Sequence, residues 1–167
     1  MKAKLIVEGR EFPIEIQDPE LVKLLKPQKK TGYERVDKGG HYFYACSDGF
    51  VESALDMGTC SQDDYDNADY YSDQTVAENN ARADKLMRQL RRFAVEHRSH
   101  ENDWTDTRNY HYYIMYNHNT NTLCSNYNQC FRIHGIIYFN DQKTAELAIK
   151  TFHDELIWYF TEYEDSL

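Results

Sequence analysis

The sequence predicts an α+β fold. An N-terminal hairpin and a short helix come first, followed by two duplicated units, each an antiparallel sheet with a helix laid on it. Three observations predict this. Apolar residues alternate with polar ones over residues 4–16, two blocks of sequence recur about seventy residues apart, and each recurrence leads into a long stretch of helical apolar spacing.

In chain order, Leu5, Val7, Phe12, Ile14 and Ile16 alternate around Glu8-Gly9-Arg10, which is a hairpin signal. Asp18-Pro19-Glu20 supplies an N-cap and then a proline at the first helical position, where a missing N–H costs nothing. Leu21, Leu24 and Leu25 continue that short helix until Pro27 stops it, and 28–40 is a basic connector containing glycine. His41-Tyr42-Phe43-Tyr44 then recurs as His111-Tyr112-Tyr113-Ile114, at an offset of 70. Tyr70-Tyr71-Ser72-Asp73-Gln74 with Ala77-Glu78 recurs as Tyr138-Phe139-Asn140-Asp141-Gln142 with Ala145-Glu146, at an offset of 68. Ser72 and Asn140, or the Asp after each, are helix caps whose oxygens take up orphan N–H groups.

The first long helix, about Gln74 to His97, carries Val76, Ala83, Leu86, Leu90, Phe93 and Ala94 on one stripe. The second, about Asp141 to Tyr163, carries Ala145, Ala148, Ile149, Phe152, Leu156, Tyr159 and Phe160. Each stripe is expected on its own sheet. Turns are expected at Ser47-Asp48-Gly49 and at His118-Asn119-Thr120-Asn121. Leu147, Ile157 and Trp158 fall off the last stripe, and either cover the N-terminal hairpin or mark a partner surface. The resulting divisions are 1–30, 31–100 and 101–167, expected as one globular body.

Charge is unevenly spread. The 167 residues carry 28 acids against 19 bases, a net −9. Between Lys38 and Arg82 there is no base, while Asp48, Glu52, Asp56, Asp63, Asp64, Asp66, Asp69, Asp73 and Glu78 give nine acids, so the rest of the chain is balanced. That excludes the overall basic footprint of a general nucleic-acid binder, and of a protein docking on anionic lipid. No apolar run reaches the roughly 20 residues of a membrane span, and the N-terminal apolar stretch is too short for a signal peptide. A cytoplasmic protein is expected, with its cysteines as thiols or ligands rather than disulfides.

No nucleophile elbow, P-loop, dinucleotide fingerprint or His-Glu-x-x-His zinc motif occurs. The expectation is a non-enzymatic protein. Within the acidic window, Asp63, Asp64, Asp66 and Asp69 interleave with Tyr65, Tyr70 and Tyr71. A calcium loop counted from Asp64 needs Gly at its sixth place and Glu at its twelfth, but Asp69 and Thr75 stand there. Two readings remain. The window is a sheet edge kept soluble by charge, or it presents Asp56, Asp63, Asp64, Tyr65, Asp66, Asp69, Tyr70 and Tyr71 to a basic partner groove that otherwise holds phosphates.

Cys46, Cys60, Cys124 and Cys130 fall two per unit, and a turn at Asn126 to Gln129 would bring Cys124 near Cys130. They are either buried thiols or a structural zinc site, alone or with His111, His118 or His134. Lys85, Arg88, Arg91 and Arg92 lie opposite the apolar stripe of the first helix, compensated by Glu78–Arg82, Asp84–Arg88 and Arg92–Glu96 spacings. With Tyr112, Tyr113 and Tyr116 as stacking platforms, those bases make a nucleic-acid-binding module the alternative class. A virion structural or assembly protein is a third.

The order of the Tyr-rich hairpin, Tyr70-Tyr71-Ser72-Asp73 into Ala77-Glu78, Tyr138-Phe139-Asn140-Asp141 into Ala145-Glu146, and the aromatic end Trp158-Tyr159-Phe160 resembles small acidic accessory proteins of phages, prophages and plasmids of Gram-positive bacteria. The resemblance spans most of residues 31–163 and transfers no catalytic residue. It implies a mobile-element protein of the bacterial cytoplasm. It also implies an inhibitor of host defence such as an anti-CRISPR protein, which would block nucleic-acid loading by an RNA-guided nuclease of type II.

Overall fold

The computed structural model describes residues 2–7, 10–19, 30–100 and 103–163, with 2–7 and Cys60 described by backbone alone. The fold is α+β. Strands β1 (Lys2–Val7) and β2 (Arg10–Glu15) pair antiparallel from Lys2 opposite Glu15 to Val7 opposite Arg10, as the alternation requires. Most of the helix expected between Asp18 and Pro27 lies outside the described residues.

β3 (His41–Ala45) pairs antiparallel with β4 (Val51–Leu55), and β5 (His111–Asn117) with β6 (Thr122–Asn128). Both turns fall where their polar residues stand. Gly49 takes φ +90° in the first and Asn121 takes +52° in the second, the left-handed region those residue types tolerate. The helices are α1 (Cys60–Asp66), α2 (Gln74–Glu96), α3 (Gln142–Thr151) and α4 (His153–Trp158), followed by a π-helical turn, Tyr159–Tyr163. Among the described residues, no helix is long and apolar enough to cross a membrane.

The duplication is visible in backbone pairing. Phe43 and Tyr71 exchange N–H···O bonds of 2.8 and 2.9 Å, and Tyr112 and Phe139 exchange bonds of 2.9 and 2.7 Å, so each hairpin gains one bridging residue before its helix. Asp73 caps α2 by accepting from the Val76 N–H at 3.1 Å, and Asp141 caps α3 by accepting from Thr144 at 2.8 Å. The caps are thus the aspartates, not Ser72 and Asn140.

The bridges also correct the alignment of the repeats. Phe43 corresponds to Tyr112, which slips the strand by one residue relative to the matching His-Tyr letters. A one-residue slip exchanges the faces of a strand. Accordingly His111 shares the buried position of Tyr42, while His41 is exposed.

Three further expectations change. Residues 60–66, expected in a strand edge or loop, are helical. The last helix does not run unbroken from Asp141. Phe152, at φ −113° and ψ 24°, interrupts it, and its ring meets Phe93 edge-on at 5.6 Å. Nor does each stripe stay on its own sheet. Leu86, Leu90 and Phe93 of α2 join Phe139, Ala145, Ala148 and Leu156 in one core cluster, so α2 serves both units. Trp158 is buried under the Arg82 guanidinium, 3.8 Å from its ring, while Leu147 is left 45% exposed. Arg82 itself bonds Glu155 at 2.8 and 3.1 Å rather than its helical neighbour Glu78. Of the three spaced pairs, Arg92–Glu96 is seen, at 3.8 Å.

Candidate functional site

The acidic window is built around one buried carboxylate. Asp56, at 2% exposure, ends the β3–β4 hairpin and accepts from Arg35 Nε at 3.0 Å, Ser61 Oγ at 2.6 Å, Tyr70 OH at 2.9 Å and the Gly58 N–H at 3.0 Å. Arg35 above all, then Ser61, holds its carboxyl well below the usual carboxylate range. Arg35 also donates to Gln62 of α1 and lies over the Tyr65 ring at 5.4 Å. A short helix without a side-chain N-cap is marginal by itself, and α1 is held here from its first turn by Ser61 and Gln62.

A second set of bonds fixes the rest of α1. Tyr42 stacks on Tyr70 at 4.3 Å and 7°, and its hydroxyl donates to Asp64 at 2.5 Å. Burial, then the Asp64 bond, pushes the Tyr42 phenol up. Asp69 accepts from the Ala45 N–H at 2.8 Å, and burial, aided by Asp64 and Asp84, raises its carboxyl. Glu34 closes the neighbouring connector. It accepts from Thr31 and from the Gly32 N–H, which brings its pKa down to about 2.

The candidate residues therefore divide. Asp56, Tyr70 and Tyr71 are buried and offer no contact surface, and Asp64 and Asp69 are half-buried and engaged internally. Asp63, Asp66 and Tyr65 stand exposed on α1, with Asp48 and Glu52 exposed on the hairpin. Sequence reasoning missed the apolar members of this surface. Phe50 is 73% exposed, Met57 64% and Leu55 49%, beside Tyr65, which the sequence did single out, at 41%. The signal for Phe50 was its place directly after the Ser47-Asp48-Gly49 turn, where nothing local could cover it.

Among the described residues, the cysteines do not form a metal-binding group. Cys46 follows β3 and is half-buried, with its thiol pushed up by burial and by Glu52, Asp48 and Asp69. Cys124 sits in β6 opposite Met115, and Cys130 is exposed. The expected turn at Asn126 to Gln129 is instead strand through Asn128, which carries the chain on the order of 13 Å from Cys124 before it bends. The Cys60 side chain lies outside the described residues. Among those described, no three His, Cys, Asp or Glu side chains are grouped to hold a metal ion.

The alternative nucleic-acid face is also dispersed. Lys85, Arg88, Arg91 and Arg92 are exposed on α2. Tyr112, however, packs on the core, Tyr113 meets Tyr138 edge-on at 5.9 Å, and Tyr116 lies parallel to Phe160 at 6.2 Å. These rings are half-buried and used in packing. No family model, no curated protein and no solved structure matches the chain.

Proposed function

We propose that the chain is a non-enzymatic inhibitor that acts in the bacterial cytoplasm and occupies a basic, nucleic-acid-holding groove of a host nuclease with its acidic face. One observation carries the reading: Asp48, Glu52, Asp63 and Asp66 are exposed carboxylates, and Phe50, Met57 and Tyr65 are uncovered apolar side chains, of one stretch that has no Lys or Arg. A surface that needs only solubility has no use for three large apolar side chains. A docking surface does, because apolar anchors supply affinity while like-signed charge supplies orientation and encounter rate. The Asp56 network contributes by holding α1 rigid against the hairpin, which lowers the ordering cost of binding. Among basic grooves, the resemblance to mobile-element proteins favours that of a type II CRISPR nuclease.

The test is binding of the purified chain to a guide-loaded type II nuclease across a salt series. Affinity should fall steeply with salt, and Asp63→Asn with Asp66→Asn and Phe50→Ala should weaken it by roughly 30-fold or more. Equal binding by that triple variant overturns the acidic-face mechanism. A gel shift of the chain with DNA or RNA alone should be negative.

A further inference from the structure

A cavity of about 420 Å3 opens between α2, β5, residues 134–137 and the final helical turns. Met87, Leu90, Ile114, Ile136, Leu156 and Phe160 are among its walls, and no carboxylate, ammonium or guanidinium reaches it. A space of that composition holds ordered water poorly and favours an apolar occupant. Three residues before its His134–Ile137 wall, Phe131 stands 76% exposed, with Ile133 at 46%. Arg132, between them, lies over the Trp104 ring at 5.9 Å.

We propose that the occupant is Phe131 of a second copy of this chain. Charge decides between partners. Residues 110–139 contain no acid and Arg132 as their one base, so this is where two chains of net −9 approach with least repulsion. On that segment a strongly basic or acidic partner finds no counter-charge beyond Arg132. Position decides the symmetry. The ring and the cavity wall belong to one segment, so a two-fold axis beside it satisfies both insertions at once and closes the assembly as a dimer. Each insertion buries an aromatic anchor in a pocket, the arrangement that concentrates binding energy at an interface. The acidic faces lie outside this segment, so the dimer carries two of them.

Sedimentation velocity of the full chain tests the proposal, with a dimer expected at about 100 µM. Phe131→Asp should raise the dimer dissociation constant roughly 30-fold or more while leaving circular dichroism and Tm unchanged. Ile136→Arg, which places charge at the cavity mouth, should do the same from the receiving side. A wild-type chain that stays monomeric at that concentration overturns the proposal. So does a dimer indifferent to both substitutions, or a monomer found by native mass spectrometry with an apolar small molecule bound.

Discussion

The two repeated units share a frame and fill it differently. In both, an aspartate caps the helix, a Gln bonds the Glu four residues on at 2.8 Å, and an alanine at 0% exposure (Ala77, Ala145) lies under the first turn. In both, a tyrosine hydroxyl accepts a backbone N–H at 3.0 Å, from Val36 to Tyr70 and from Ile133 to Tyr138. The buried position beneath the hairpin is where they part. Tyr42 fills it in the first unit and reaches Asp64, stacked on the Tyr70 that joins Arg35 and Ser61 in satisfying Asp56. His111 fills it in the second, stacked on Trp104 at 3.6 Å and 14°, and neither of its ring nitrogens makes a hydrogen bond. One unit is pinned by a polar network and the other by aromatic and aliphatic packing. The first unit's acids are consequently of two kinds, those that hold α1 in place and those left to a partner.

The largest test of that contrast is at the bridging residues. Phe139 is 1% exposed and belongs to the core cluster shared with α2, so Phe139→Ala should cost about 3–5 kcal/mol in urea unfolding. Tyr71, its counterpart, lies outside that cluster, and Tyr71→Ala should cost less. Equal losses would mean the two units are packed alike.

Acid separates the units next. Burial above all holds the His111 imidazole below its ordinary 6.5, with the Asp103 charge opposing and His100 acting in the same direction as burial. A depressed pKa in the folded chain means the unfolded chain binds the proton first. Stability of the second unit is therefore full above pH 6.5 and falls as pH drops through the histidine range. In the first unit the depressed groups are Asp56 and Glu34, so its stability is kept until pH falls below their ordinary 3.8 and 4.5. Trp104 fluorescence should change before hydrogen exchange in α1 does. His111→Phe should remove the early step, because its ring has no polar atom to leave unpaired. A single transition at the carboxylate range in the wild type would contradict this order.

The smallest effect is expected where the units are tied. Arg82 of α2 bonds Glu155 and covers Trp158, both beyond the second hairpin. The pair is half exposed, so Arg82→Ala should cost about 1 kcal/mol. A loss several times larger would make that contact, rather than the shared core, the main tie between the units.

Much of the frame was legible because its causes are local. Alternation marks β1 and β2, a Gly or Asn near each turn marks the hairpins, and an aspartate before apolar helical spacing marks α2 and α3. α1 was not legible, since its run of acids around one tyrosine reads as a charged strand edge or loop, and its hold comes from Arg35, more than twenty residues earlier. The site was half legible for the same reason. A run of acids shows in the letters, but which of them turn inward depends on donors that only folding brings near.

By itself the sequence determined the hairpins, the start of α2 and of α3, the duplication and the −9 gathered in one window, because each shows in the pattern of residues along the chain. Tertiary structure alone decided the one-residue slip that places His111 where Tyr42 lies, the sharing of α2 between units, and the inward turn of Asp56. Each of those depends on groups far apart in the chain meeting in space, where a buried charge must find its partner and an apolar face its cover.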